Sequence, residues 1–231
     1  MLSLTDLDYT LPESLIATVP ASPRESARLM VVPRRAVANA PAQAVTGLVG
    51  HQTVRDLPSL VRPGDVLVFN VTRVLPARLI AVRLDTGGHL EGLYLHPGSG
   101  PDEWEILLKG NNPRPGMKLA LLDEYGHECG LILELRAPGR EMGSWVVGVR
   151  WLGDSIERDQ LGLTLRALEV AGHVPLPPYI IKAREKQHVA ITESEDRASY
   201  QTIYASPQHA GSVAAPTAGL HFTPTLLEGL L

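Results

Sequence analysis

Large apolar residues recur at every second position along the middle third of the chain. Leu131, Leu133 and Leu135 follow this pattern, and the residues from Trp145 to Trp151 repeat it. A period of two is typical of a strand with one buried face. Short strands at such even spacing favour an antiparallel barrel or sandwich. The pattern predicts strands at 65–70, 78–84, 89–95, 104–109, 117–122, 130–136 and 144–151.

The residues on either side of this region follow other patterns. Leu161, Leu165 and Leu168 share one face of a predicted helix, and either Asp154 or Ser155 is a candidate N-cap for it. Prolines fix φ and remove backbone donors, so a proline-rich stretch is predicted to be extended. The remaining predicted elements are short helices at 11–17 and 55–60, a strand at 29–32, and the extended path at 172–180.

The string GSVAAPTAGLHFT, at 211–223, is predicted to form a strand, a tight turn and a helix start. The strand is expected to be buried, at 212–215, and to stop at the proline that follows. Gly219 permits a positive φ or close approach by a ligand, and Thr223 with Pro224 is a helix-entry signal. Such a junction can turn backbone N–H groups toward a ligand. The alternative is a turn of small residues where two elements pack closely.

Composition narrows the possible classes of protein. The 231 residues are 44% hydrophobic, which is ample for a packed core. A net charge of −4 argues against a strongly electrostatic nucleic-acid binder, so any RNA must be held by local basic patches and shape. Cys129 is the only cysteine and the histidines are scattered, which excludes an internal disulfide and shows no zinc spacing. With no membrane-spanning run or signal peptide, the sequence predicts a cytosolic protein.

Two further strings carry arginine or aromatic residues beside prolines. NVTRVLPARL, at 70–79, contains Arg73 and Arg78, which either bind a ligand or form ordinary surface pairs. GHVPLPPYI, at 172–180, ends near Tyr179, which either anchors a rigid linker or stacks on a base.

A basic run and a polar, aromatic string complete the candidate chemistry. Lys182, Arg184 and Lys186 form the densest basic run, which is either a solvated face or a contact for RNA phosphates. The string EDRASYQTIYA, at 195–205, leads from there toward the small-residue string.

The four strings together resemble the S-adenosylmethionine:tRNA ribosyltransferase-isomerases of queuosine biosynthesis. The resemblance implies a mixed α/β (α+β) large domain, 1–64 with 153–231, into which a small antiparallel β-barrel domain, 65–152, is inserted. It also implies that this chain stops short of a further C-terminal segment. At position 71 the family usually has an acid, and this chain has Val71.

The resemblance implies a specific reaction. The ribosyl moiety of S-adenosylmethionine is transferred to 7-aminomethyl-7-deazaguanine at the tRNA wobble position and isomerised, giving epoxyqueuosine with release of adenine and methionine. S-adenosylmethionine is a substrate, and no cofactor or metal is required. The expected partners are therefore tRNA and S-adenosylmethionine, with no membrane, and the oligomeric state stays open.

The resemblance also implies which residues form the site. An imidazole in general titrates near neutrality, so His221 is a candidate base or acid, although a core histidine bonded to a backbone carbonyl is the alternative. The catalytic candidates are His221, Asp196 and Tyr200. The substrate-binding candidates are Asn70, Thr72, Arg73, Arg78, Tyr179, Gln201, Ala215, Pro216, Thr217, Ala218, Gly219 and Phe222. The tRNA-binding candidates are Lys182, Arg184 and Lys186.

Two other functions compete with this one. A non-catalytic tRNA-binding protein is favoured by Val71 and by the early end of the chain, whereas the retained string at 211–223 favours the enzyme. A generic S-adenosylmethionine-dependent methyltransferase is not favoured, because no glycine-rich turn follows a first strand with an acid downstream.

Overall fold

A computed structural model describes residues 3–32, 49–110, 112–152 and 160–231. The chain divides into two compact units. The first, called the terminal unit, comprises Met1–Val68, Leu176–Ile191 and Thr217–Leu231, and the second, called the barrel unit, comprises Phe69–Pro175 and Thr192–Pro216. The predicted domain bounds at 65 and 152, and the insertion of one domain into the other, stay predictions.

Six antiparallel strands of the barrel unit close into a barrel. They are β4 (Arg78–Arg83), β5 (His89–Pro97), β6 (Glu103–Lys109), β7 (Lys118–Leu122), β8 (Glu128–Pro138) and β9 (Ser144–Trp151). The spatial order is β4-β5-β6-β9-β8-β7, and β7 pairs back onto β4, with Ala81 opposite Leu121. The predicted antiparallel barrel and the mixed α/β composition are therefore confirmed.

Alternation places one apolar row of each strand inside the barrel. Leu131, Leu133 and Leu135 are almost fully buried, as is Val147 on β9. These rows meet in one core, which excludes water from enough apolar surface to stabilise the closed sheet. The predicted strands at 78–84, 89–95, 104–109, 117–122, 130–136 and 144–151 are confirmed by this arrangement.

Helix α1 (Gln160–Ala171) packs against the same core. Ala167, Leu168 and Ala171 are buried, whereas Leu161 is 57% exposed. The predicted apolar face was therefore wrong at Leu161: the buried face includes Ala167 and Ala171, whose small side chains allow close packing. The predicted N-cap, Asp154 or Ser155, lies outside the described residues.

A buried hydrogen bond joins α1 to the barrel. Trp104 on β6 donates its indole N–H to the hydroxyl of Thr164 at 3.0 Å. Trp104 also meets Tyr94 edge to face, with ring centroids 5.2 Å apart. The bond satisfies two buried polar groups, and it fixes the helix in register with the barrel.

Three short strands lie beside the barrel in the same unit. Strand β10 (Gly172–His173) follows α1 directly and pairs with β4. Strands β3 (Thr72–Val74) and β11 (Ser206–Ser212) form a parallel pair, and helix α3 (Glu193–Ser199) precedes β11. These elements bring three of the sequence strings next to the end of α1.

Two predicted strands are wrong. Residues 65–70 form no strand, and Val66 and Val68 are 83% and 91% exposed. Residues 212–215 are not a buried strand either, because β11 ends at Ser212. Both segments are rich in apolar or small residues, but within the described ranges neither residues 65–70 nor residues 213–215 pair with a neighbouring strand.

The terminal unit contains strands β1 (Arg28–Val31) and β2 (Gly50–Thr53), which pair antiparallel. Its helices α2 (Pro178–Gln187) and α4 (Pro224–Glu228) both begin with proline, which is favourable at the first helical position. The Thr223 hydroxyl accepts a bond from the Leu226 N–H at 3.3 Å, which confirms the predicted helix entry. The short 3-10 helices of this unit are Leu4–Leu7, Glu13–Leu15, Arg24–Ser26, Val54–Ser59 and Thr217–His221.

The predicted extended path at 172–180 is correct only in its first part. Helix α2 begins at Pro178, because a proline at the start of a helix lacks only an N–H that has no intrahelical partner. The strand predicted at 29–32 corresponds to β1, and the helices predicted at 11–17 and 55–60 are 3-10 helices at Glu13–Leu15 and Val54–Ser59. Among the described residues, none of the helices has the length and apolar character needed to cross a bilayer.

Gly172 is expected to tolerate no side chain. A Cβ there would overlap the backbone carbonyl groups of Pro76 and Leu168, which cannot move without displacing β4 and α1. We expect Gly172→Ala to lower the free energy of unfolding by about 3 kcal/mol or more, measured by urea titration of tryptophan fluorescence.

The matched control is Gly88→Ala in the β4–β5 turn. There a Cβ would lie 3.4 Å from the Thr86 hydroxyl, an ordinary contact. We expect a change of less than about 1 kcal/mol. Equal losses for the two variants would contradict the close approach at Gly172.

Candidate functional site

A cavity of about 580 Å³ lies within the barrel unit, where three of the sequence strings meet. The strings at 70–79, 172–180 and 195–205 each contribute to its wall, and α1 and the start of β11 supply the remainder. Its lining residues are Arg73, Val74, Leu75, Pro76, Leu165, Glu169, Val174, Pro175, Arg197, Tyr200, Gln201, Thr202, Ala205 and Pro207. Of the predicted site residues, Arg73, Tyr200 and Gln201 are thus brought together.

Gln201 joins the string at 195–205 to strand β3. Its side-chain oxygen accepts a bond from the Val74 N–H at 3.1 Å, and its amide nitrogen donates to the Val74 carbonyl at 3.2 Å. The other edge of β3 is bonded to β11, where Leu75 N–H reaches the Ser212 carbonyl at 2.8 Å. Gln201 therefore acts as a neighbouring strand for β3 and shapes one wall of the cavity.

An aromatic pair supports the same segment. Tyr204 meets Phe69 edge to face, with ring centroids 4.9 Å apart. Burial raises the pKa of the Tyr204 phenol, so this group stays protonated at neutral pH. Tyr204 therefore packs as a neutral aromatic group.

A polar network holds another part of the cavity wall. The Glu193 carboxylate accepts bonds from the Val174 N–H at 2.7 Å and from Arg197 Nε at 3.3 Å, and it lies 3.5 Å from His173 Nδ1. Arg197 Nη2 donates to the Gly172 carbonyl at 2.6 Å. The network thus ties α3 to β10 and orients Arg197, which lines the cavity.

Competing effects set the pKa of Glu193. Burial alone raises this pKa, but the hydrogen bonds from His173 and the Val174 N–H, together with the charge of Arg197, bring it below the ordinary glutamate value. Glu193 is therefore a carboxylate at neutral pH.

The cavity combines apolar and charged surface. Leu165 and Val174 are apolar, whereas Arg73 and Arg197 contribute two positive charges against the single negative charge of Glu169. Such a lining suits an organic ligand that carries an anionic group. Over the ranges that the structure describes, no three His, Cys, Asp or Glu side chains come together as a metal-binding group.

Other predicted site residues have local roles. Asp196 is buried on α3 and is not among the lining residues. The Asn70 side chain accepts bonds from the Thr72 N–H at 3.0 Å and from its hydroxyl at 2.7 Å, which fixes the entry to β3. Arg78 forms an ion pair with Glu91 at 2.9 Å, the ordinary surface pairing that was its alternative role.

The string at 211–223 is divided between the two units. Ala215 and Pro216 follow β11 in the barrel unit, whereas Thr217, Ala218, Gly219, His221 and Phe222 belong to the terminal unit.

In that second part, His221 Nδ1 lies 3.3 Å from the Ala218 carbonyl, the backbone contact that was the alternative to a catalytic histidine. Gly219 lies within a 3-10 helix rather than in an open turn. The Phe222 N–H bonds to the Gly219 carbonyl at 3.3 Å.

The terminal unit has its own groove, called the α2 groove, of about 550 Å³. Tyr179, Lys182 and Lys186 line it from one face of α2, and Glu13 and Ile16 lie on its other side. Lys186 is ion-paired with Glu13. Arg184 is not among the lining residues, and its Nε donates to the Thr18 carbonyl at 2.8 Å.

Sequence reasoning missed Glu193 and Arg197. Both lie in or beside the string at 195–205, four positions apart, which is the spacing of a helical ion pair. That spacing was a usable signal for the pair. No local sequence pattern indicates the bonds of these residues to Gly172 and Val174, because those partners are about twenty positions earlier in the chain.

Glu193 should make stability depend on pH. Because its pKa is lowered by folding, it stabilises the folded state above the unfolded pKa, and that contribution is lost as the pH falls through the folded pKa. We expect the loss of unfolding free energy between about pH 6 and about pH 3 to be larger for the unaltered chain than for Glu193→Gln. Urea titrations across this range measure the difference.

Glu128→Gln, at an exposed position on β8, is the control and should follow the pH dependence of the unaltered chain. If Glu193→Gln also follows that dependence, the network does not stabilise the carboxylate.

Comparison with known proteins gives the family. The family model described as queuosine biosynthesis protein matches residues 4–231. The S-adenosylmethionine:tRNA ribosyltransferase-isomerase of Symbiobacterium thermophilum is 41% identical over 228 residues, 98% of this chain and 56% of the relative. The enzyme of that name from Caulobacter vibrioides is 40% identical over 242 residues, 98% of this chain and 57% of the relative.

The chain thus spans between half and two thirds of the length of these curated relatives. The match nevertheless extends over nearly every residue of the chain itself, including all the strings that form the cavity. The chain therefore belongs to the queuosine biosynthesis protein family.

Proposed function

We propose that this chain carries the S-adenosylmethionine site of a tRNA ribosyltransferase-isomerase. In the proposed reaction the ribosyl moiety of S-adenosylmethionine is transferred to 7-aminomethyl-7-deazaguanine in tRNA and isomerised to epoxyqueuosine, with release of adenine and methionine. The names of the relatives support this reaction class. The observation that carries the proposal is the convergence of three sequence strings on one cavity.

The cavity has the size and lining expected for this substrate. Small-molecule sites commonly enclose about 300–1,000 Å³, and this cavity of about 580 Å³ lies within that range. An aromatic face and a carboxylate both attract a sulfonium, and Tyr200 and Glu169 supply them. Arg73 and Arg197 suit the carboxylate of the methionine portion.

The proposed reaction places specific demands on the protein. The sulfonium acidifies its neighbouring methylene, so a base must remove a carbon-bound proton, and a proton source must assist the departure of adenine. Water must also be excluded, because reactive intermediates would hydrolyse. Asp196 and Tyr200, in the string beside the cavity, and His221, in the terminal unit, stay the candidates for these proton transfers.

We also propose that the α2 groove contacts tRNA. Tyr179 is exposed and offers a face on which a base can stack, and Lys182, three positions further along the helix, offers a charge for a phosphate. Lys186 and Arg184 are less suited to this role, because their side chains already bond to Glu13 and Thr18. Lys182 is therefore the main proposed phosphate contact among the three basic residues.

Filling the cavity should weaken binding of S-adenosylmethionine. Ala205 lines the cavity, and Ala198 is exposed on α3 in the same string. We expect Ala205→Trp to raise the dissociation constant for S-adenosylmethionine at least about tenfold, because the indole occupies the space of the ligand. Isothermal titration calorimetry gives the constant, and Ala198→Trp is the control that should bind normally.

Turnover is measured by adenine release from S-adenosylmethionine with tRNA that carries the aminomethyl-deazaguanine. Adenine formation with the matching mass gain on tRNA would support the full proposal. Binding of tRNA without adenine release would favour the second candidate, a non-catalytic tRNA-binding role, to which Val71 in place of an acid also points.

Removing the charge of Lys182 should weaken tRNA binding. We expect Lys182→Gln to lower tRNA affinity several-fold and to reduce the slope of log affinity against log salt by about 1, because one phosphate contact is lost. Filter binding at several salt concentrations measures both quantities. Lys186→Gln is the matched control and should change the slope less, since Lys186 pairs with Glu13. Equal effects of the two substitutions would argue against a specific contact at Lys182.

A further inference from the structure

Arg197 is held at the cavity wall by one side of its guanidinium. Nε bonds to Glu193 at 3.3 Å and Nη2 bonds to the Gly172 carbonyl at 2.6 Å. An arginine side chain has five N–H donors, and within the described part of the chain only these two atoms of Arg197 have partners. Three N–H groups, two on Nη1 and one on Nη2, therefore take no part in these bonds, and one from each nitrogen forms a parallel pair that suits a ligand in the cavity.

The two groups that orient Arg197 are themselves held by backbone hydrogen bonds. Glu193 is anchored to the backbone through the Val174 N–H at 2.7 Å, and Gly172 lies in strand β10, which is paired with β4. His173, between them, lies 3.5 Å from the same carboxylate. An arginine held in this way loses little side-chain entropy when it binds an anion, whereas an exposed arginine that samples many rotamers loses more.

The charges around the cavity also favour an anion. Arg73 adds a second positive charge to the lining, and Glu169 supplies the only carboxylate among the lining residues that the structure describes. The Glu193 carboxylate is already bonded to Val174 and Arg197. Positive charge thus predominates in the cavity that Arg197 lines.

We propose that Arg197 binds the amino-acid carboxylate of S-adenosylmethionine, and that Glu193 is the positioning residue that holds Arg197 for this contact. The proposal deepens the proposed function and rests on it. A planar guanidinium suits a carboxylate because two parallel N–H groups match its two oxygens. The contact places the methionine end of the substrate at the junction of α3 and β10.

The test compares two ligands that differ only in this carboxylate. Dissociation constants for S-adenosylmethionine and for decarboxylated S-adenosylmethionine are measured by calorimetry on the 231-residue chain. We expect the unaltered chain to prefer S-adenosylmethionine by about ten- to a hundredfold, the range of a charged hydrogen-bond pair. In Arg197→Gln this preference should fall to within about threefold, because the lost carboxylate contact is one that only S-adenosylmethionine makes, whereas loss of the bonds to Glu193 and Gly172 affects both ligands.

Three further variants separate contact, charge and folding. Arg150→Gln removes an exposed arginine of β9 and should keep the full preference. Arg197→Lys keeps the charge without the planar fork and should give an intermediate preference, which covers the case in which Arg197→Gln does not fold. Glu193→Gln should reduce the preference while leaving affinity for the decarboxylated ligand unchanged, a result that a general loss of stability would not produce.

The outcomes distinguish this proposal from the proposed function. Full preference for S-adenosylmethionine in Arg197→Gln would overturn the assignment of Arg197 and leave the proposed function intact. Weaker tRNA binding by Arg197→Gln with an unchanged ligand preference would also overturn it, because the anion would then be a phosphate. Failure of the unaltered chain to bind S-adenosylmethionine would overturn both proposals together.

Discussion

The close backbone approach at Gly172 is the constraint on which the barrel unit depends. Its Cα lies so near the carbonyl groups of Pro76 and Leu168 that no side chain fits. The contact fixes three elements at once: the end of α1, strand β10 and the segment that leads into β4. The Gly172 carbonyl and the Val174 N–H then hold Arg197 and Glu193, so the cavity wall is built on this one approach.

The sequence predicted those parts of the fold in which one buried face sets the pattern. In strands β8 and β9 large apolar residues recur at every second position, and these residues fill the barrel. The segment around Val66 and Val68 has the composition of a strand, yet both side chains are exposed. Composition shows what a segment can form, whereas pairing depends on a neighbouring strand that local sequence does not specify.

The sequence predicted which residues line the candidate site better than it predicted the contacts that these residues make. Family-like strings identified Arg73, Tyr200 and Gln201, and all three line one cavity. Sequence reasoning assigned Gln201 to the substrate, but its amide bonds to the backbone of Val74. Arg197 was missed because its position follows from the carbonyl of Gly172, a contact between distant residues that no spacing rule indicates.

The two hydrogen bonds between Gln201 and Val74 make the stability of one sheet edge depend on the conformation of a loop. Strand β3 has a true strand on one edge and a single side chain on the other. Loops open more often than paired strands. The hydrogen bonds on this edge of β3 are therefore broken whenever the turn that carries Gln201 opens. A ligand that rests on this turn favours the closed form by mass action. Occupancy of the cavity would then be reported by slower hydrogen exchange at the Val74 amide in its wall.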